Sequence, residues 1–203
     1  MSLPEAVNGQ VAEPSGFGGG LAGLMMLHRP SNRARARWVL SLTGIQSSDK
    51  VLDVGIGPGY STGLIAASLG QGVVVGVDRS AVMMSIAQRR LARYMKTRTV
   101  MLLQADLMDL PNFNIRFDKV VSINTLQIHA GANAELAKLH SRMAPGGCIA
   151  IAIQPNERGV AASQAFAVHM TDSIRAAGFE RLQTHFNASL SKTPCVCVVA
   201  RAC

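Results

Sequence analysis

The sequence predicts an α/β fold: a mostly parallel, doubly wound sheet with helices on both faces and an antiparallel pair of strands at its end. Three observations predict it. From Val51 onward, short runs rich in Val and Ile alternate with segments of helical pattern, as strands buried on both faces require. A glycine-rich loop, Gly55 to Gly59, joins the first such run to the first helical segment after it. The last two apolar runs follow each other with no helix between them, so they should pair antiparallel.

Taken in order, residues 1–20 carry Pro4, Pro14 and a cluster of glycines, the composition of a mobile arm. Residues 21–48 read as an N-terminal helical cap: an apolar stretch, Leu21–Leu27, is broken by Pro30. Ser31 then caps a helix with Trp38 and Leu42 on one face, and Gly44 ends it. The main domain, 49–203, opens with strand Val51–Val54 and helix Thr62–Leu69, which stops at Gly70. Strand Val73–Val77 ends at Asp78, and Ser80 caps a helix running to about Met95. Strands Val100–Leu103 and Lys119–Ile123 follow, then helix Glu135–Met143 before Pro145-Gly146-Gly147. Strand Cys148–Ile153, helix Ala161–Ala177 closed by Gly178, and strands Phe179–Phe186 and Cys195–Ala200 complete the chain.

At 203 residues and 48% hydrophobic content the chain suits one packed domain. Aromatics are only 4%, so the core must rest on aliphatic side chains and Met. The net charge of +8 raises the question of nucleic acid. The basic residues are scattered, however, with concentrations at Arg29, Arg33, Arg35 and Arg37 and at Arg89, Arg90, Arg93, Lys96 and Arg98. These read as solvated helix faces, and a nucleic-acid partner is not expected. No apolar run reaches the ~20 residues of a membrane span, and the N-terminus lacks a secretory pattern. Cys148, Cys195, Cys197 and Cys203 form no C-x-x-C pair and have no histidine at zinc-site spacing. No metal is expected, and a reducing cytoplasm is.

The segment VLDVGIGPGYST, Val51 to Thr62, carries the chemistry. Glycines at the end of a strand bring a ligand against bare backbone, at a helix N-terminus with unpaired N–H groups. No Lys follows them as a phosphate-binding P-loop requires, and the dinucleotide spacing fails at Tyr60 and Thr62. The pattern is G-x-G-x-G with Asp53 two residues before its first glycine. An acid there suits the ammonium of an amino-acid tail better than a pyrophosphate. Asp78, 23 positions after Gly55, can accept from both ribose hydroxyls. Asp106, at the end of the third strand, can accept from an adenine amine. The competing explanation is that each acid merely caps a strand or helix.

With VVVGVDRS (Val73–Ser80), QADLMDLP (Gln104–Pro111), FDKVVSINTLQ (Phe117–Gln127) and LHSRMAPGGCIAIA in the same order, the chain resembles the class I S-adenosylmethionine-dependent methyltransferases over about Asn32 to Ala202. The resemblance implies a Rossmann-like, seven-stranded sheet with a reversed last strand. It also implies that Asp53 and Gly55 hold the methionine end of S-adenosylmethionine, Asp78 the ribose, and Asp106 with Leu107 the adenine. Gly57, Gly59, Tyr60, Arg79, Met83 and Asn124 complete the candidate cofactor set. Tyr60 either touches the cofactor or packs, Met83 is core or pocket wall, and Asn124 orients substrate or ties down its loop.

Methyl transfer needs alignment more than side-chain chemistry, because the cofactor is already activated. A base is needed only where the acceptor loses a proton, and His129 is the candidate. The stretch Asn124 to His129 lacks the [DN]-P-P-[YF] box of base-amine methyltransferases, and Ile128-His129 replaces the aromatic pair common among relatives. The expected function is methyl transfer to a small-molecule acceptor, the alternative a non-catalytic S-adenosylmethionine or S-adenosylhomocysteine binder. A nicotinamide-linked reductase is disfavoured by the glycine spacing and the lack of a Tyr-x-x-x-Lys pair. Leu21–Arg37 is expected to fold over the cofactor. With few insertions the acceptor site should be shallow, and a second copy of the chain is the candidate to complete it as a homodimer.

Overall fold

A computed structural model of the chain describes residues 30–125, 132–155, 159–190 and 193–203. Seven strands form one sheet: β1 (Lys50–Val54), β2 (Val73–Asp78), β3 (Val100–Gln104), β4 (Phe117–Ile123), β5 (Met143–Ile153), β6 (Phe179–Asn187) and β7 (Cys195–Ala202). Their order is β3-β2-β1-β4-β5-β7-β6. The first five run parallel, with Val51 beside both Val74 and Lys119. β7 is antiparallel to β5 and to β6 and lies between them. The strand order reverses direction at β1 and β4, the switch point whose carboxyl ends an α/β sheet uses for ligands.

The described helices are α1 (Pro30–Thr43), α2 (Tyr60–Ser68), α3 (Ala81–Lys96), α4 (Ala132–Arg142) and α5 (Val160–Ala176). Successive strand residues face opposite sides, and the two resulting cores follow that alternation. Val51, Val74, Val121 and Ala150 pack with Val39 of α1, Ile65 of α2 and Leu91 of α3. Leu52, Val75, Val120 and Ile149 pack with Leu136 and Leu139 of α4 and Met170 of α5. Cys148, Cys195 and Cys197 are fully buried core residues, and no described helix is long and apolar enough to cross a membrane.

Several boundaries differ from the sequence prediction. Pro30 is already helical, so Ser31 sits inside the first turn of α1 rather than capping it; proline suits a first turn because its missing N–H has no partner there. The buried face of α1 is Arg35, Ala36, Val39 and Thr43, with Trp38 and Leu42 only half-buried. Met143 ends no helix. It begins β5 opposite Phe117, and the register then jumps to Lys119 opposite Cys148. The Pro145-Gly146-Gly147 segment bulges between the two pairings, with Gly146 at φ 76°, because Phe117 and Met143 are both buried and stay paired across it. Ser80 does cap α3, its side chain accepting from Met83 N–H at 3.3 Å.

Candidate cofactor and acceptor site

The loop after β1 is strapped to the end of β2: Gly55 and Ile56 both donate N–H to the Val77 carbonyl, at 2.7 and 3.1 Å. Within it, each glycine answers a different need. A Cβ on Gly55 would fall 1.9 Å from Thr125 Cγ2, and one on Gly59 would press on Leu91 and Ala87 of α3. Gly57, at φ 52°, faces open space with nothing within 4 Å of where a Cβ would stand. That bare, left-handed position leaves room for a ligand to lie against the backbone.

The acids predicted from the sequence meet at this end of the sheet, since β1, β2 and β3 are neighbours. Asp53 is 1% exposed. Its Oδ2 accepts from Ser61 Oγ and Thr62 Oγ1, both at 2.8 Å, from the first turn of α2. Burial pushes its carboxyl up to about 6; the Ser61 and Thr62 hydroxyls pull it back and the Asp78 charge adds to the rise. Asp78 accepts from Gly57 N–H at 2.8 Å through Oδ2 and from Ser80 N–H at 2.9 Å through Oδ1. Asp106 is exposed and accepts from Met108 N–H at 3.0 Å, capping the 3-10 turn Leu107–Asp109. The capping explanation is therefore realised at Asp78 and Asp106, and each carboxylate retains lone pairs beyond its backbone bonds.

The remaining candidates divide. Leu107 and Met83 are buried, while Arg79 is exposed. Tyr60 opens α2 with the guanidiniums of Arg33 and Arg90 over its ring, 5.7 and 5.2 Å from the centroid. Asn124, at φ 56°, stitches β4 to β5: its N–H donates to Ala152 O at 2.7 Å and its Oδ1 accepts from Gln154 N–H at 2.8 Å. His129, with Gln127 and Ile128, lies outside the described residues, as do Leu21–Arg29 of the expected cover.

Sequence reasoning missed four participants. Ser61 and Thr62 were legible as hydroxyls in a first helical turn, but not as partners of Asp53. Thr125 reaches across from β4, its Oγ1 3.0 Å from Gly55 O and 3.2 Å from Ile123 O. Arg35, counted among solvated arginines, is 6% exposed and bonded to Asn32 and Gln154; it stands on the inward face of α1, which charge counting does not reveal. A separate cleft lined by Gly146, Glu180, Arg181 and Arg201 lies at the amino end of β5, away from these groups.

The donor and acceptor set fits S-adenosylmethionine. Open backbone at Gly57 suits the close approach of its amino-acid portion, a buried acid suits an ammonium, and two further carboxylates at adjacent strand ends suit hydroxyl and amine donors. Comparison with known proteins agrees. The model of the family described as "Methyltransferase domain" matches residues 51–147. The chain is 28% identical over 183 residues to the uncharacterized methyltransferase YdaC of Bacillus subtilis, covering 89% of this chain and 97% of that protein. It is 32% identical over 121 residues to a trans-aconitate 2-methyltransferase of Methylobacterium nodulans, covering 58% of this chain and only 43% of that longer protein. Its fold matches the N-methyltransferase NodS of Bradyrhizobium japonicum, solved with S-adenosylhomocysteine, at TM-score 0.67 and 14% identity over 98% of this chain and 97% of that one.

Proposed function

This chain belongs to the class I S-adenosylmethionine-dependent methyltransferases, and we propose that its methyl acceptor is a small molecule, approached in line with the transferring methyl group. The observation that carries the assignment of the site is the Gly57 cradle, open on one side and tied on the other to Asp78. S-adenosylmethionine supplies a methyl group already activated on a sulfonium, so the chain's own residues bind, orient and exclude water. In this reading Asp53, buried beside the glycine loop, faces the ammonium, with Gly55 and Gly57 flanking the same end. Asp78 accepts from the ribose hydroxyls, and Asp106 accepts from the adenine amine above the Leu107 wall. Thr125, touching Gly55 from β4, borders the acceptor side.

A small acceptor is favoured by the short connections between described elements, which add no domain for a macromolecule, and by the absence of a base-amine box after β4. The name of the trans-aconitate relative points the same way. Free thiols at all four cysteines suit a reducing cytoplasm. A homodimer that completes the acceptor pocket belongs to the same proposal. The deciding experiment is calorimetric titration of S-adenosylmethionine and S-adenosylhomocysteine into the wild type and Asp78→Ala. Micromolar binding that weakens at least ~10-fold in the variant supports the assigned pocket, at the usual strength of hydrogen bonds to a charged group. Equal affinity in the two proteins removes Asp78 from the pocket.

A further inference from the structure

We infer that Arg35 is the anion-binding residue of the acceptor site and that the acceptor carries a carboxylate. This inference rests on the methyltransferase reading of the site. Arg35 is a buried guanidinium without a described counter-charge. Its Nη1 donates to Asn32 Oδ1 at 3.0 Å and its Nη2 to Gln154 Oε1 at 3.2 Å, both neutral amide oxygens. Its Nε is buried and has no hydrogen-bond partner among the described residues. The ion pairs among the described residues are Lys119 with Asp49 and Arg175 with Asp172; neither involves Arg35. The Cys195 thiol beside it does not serve, because burial pushes that thiol up more strongly than the guanidinium draws it down, leaving it neutral. A cation taken out of water with only neutral amide and thiol groups beside it is costly unless an anion joins it.

The position of that cation matters as much as its lack of a partner. A relay of contacts links it to the cofactor loop: Thr125 touches Gly55, the adjacent Asn124 accepts from Gln154 N–H, and Gln154 accepts from Arg35. Gln154 is itself oriented, since its Nε2 donates to Thr193 O at 2.5 Å and so turns its oxygen toward the guanidinium. Arg35 therefore sits at the carboxyl ends of β4 and β5, beside the switch point where the acceptor must lie. Nε and Nη2 lie on one edge of the planar group, and of their three hydrogens one is given to Gln154. Two parallel donors on one edge match the two oxygens of a carboxylate.

The test uses the full chain saturated with S-adenosylhomocysteine. It is titrated with acetate, succinate, citrate and benzoate, with the matching amides, and with inorganic phosphate. The same compounds are offered as acceptors with radiolabelled S-adenosylmethionine. At least one acid should bind or be methylated where its amide is not. Arg35→Gln should weaken that acid on the order of 10- to 100-fold while leaving S-adenosylhomocysteine affinity unchanged. Arg35→Lys, which keeps charge without the fork, should fall between and guards against a Gln variant that fails to fold. Acids that behave like their amides, or that bind Arg35→Gln as tightly as wild type, overturn the inference; phosphate binding in place of every acid overturns the carboxylate assignment. Failure of the methyltransferase reading shows separately, as absence of S-adenosylhomocysteine binding to the wild type.

Discussion

Thr125 occupies the space that a side chain on Gly55 would need: its Cγ2 lies 1.9 Å and its Oγ1 2.1 Å from the position of a Cβ there. The contact joins the ends of β1 and β4 across the switch point, and it separates two glycines that look alike in sequence. Gly55→Ala must displace Thr125 and hold a left-handed backbone at φ 70°. Gly57→Ala meets only the backbone cost, roughly 1–2 kcal/mol, because the space beside it is open. Thermal melts should show a clearly larger loss for Gly55→Ala, whereas calorimetry should show both variants losing S-adenosylmethionine. Gly57→Ala binding the cofactor normally would remove that glycine from the cradle.

Asp53 gives the protein a pH signature. Its carboxyl titrates near 3.8 in the unfolded chain and about 6 in the folded one. The folded state holds the extra proton between those values, so this group's contribution to stability is present below about 4 and lost as pH rises through 6. Asp53→Asn should therefore stabilise the cofactor-free protein by about 1–3 kcal/mol at pH 7.5 and by little at pH 4. A denaturant series at the two pH values reads the difference, and equal shifts at both would contradict the burial argument.

With the cofactor's ammonium at this carboxylate, as proposed above, the preference is opposite. A bound ammonium favours the ionised carboxylate, so binding below pH 6 releases a proton and grows weaker as pH falls. Titrations from pH 5 to 8 should show S-adenosylmethionine affinity level above 6 and declining below it. In Asp53→Asn the decline should flatten and affinity should be lower throughout.

Helix α1 belongs to the core. Val39 and Ala36 are buried against the sheet, and burial of a Val side chain alone is worth about 1.5–3 kcal/mol. Deletion of residues 1–29 should leave a cooperative melt, and deletion of 1–47 should abolish it or lower it severely. If Leu21–Arg37 closes over the cofactor, the shorter deletion, which removes the first part of that segment, weakens S-adenosylmethionine at least ~10-fold by calorimetry, the scale of a lost ordered contact. Unchanged affinity ends that proposal.

His129 is tested by turnover once an acceptor is known. A general base there predicts that His129→Ala slows kcat at least ~100-fold, with cofactor affinity preserved. Turnover equal to wild type would leave alignment alone as the source of catalysis.

Features that depend on local chemistry were legible along the chain. Runs of Val and Ile marked β1, β2, β4 and β5, Ser80 marked the start of α3, and Gly178 the end of α5. The G-x-G-x-G loop and the acids Asp53, Asp78 and Asp106 were legible because each sits at a fixed offset from a strand end. Folding in three dimensions settled everything that depends on which distant residue arrives alongside. It set β7 between β5 and β6, brought Thr125 against Gly55, and enclosed Asp53 with Ser61 and Thr62. It also distinguished Arg35 from Arg33 and Arg37, which alternate along one short stretch of sequence. Only the rotation of α1 against the sheet turns one of those charges inward, and that rotation is set by packing of Val39 and Ala36 rather than by any property of the arginines.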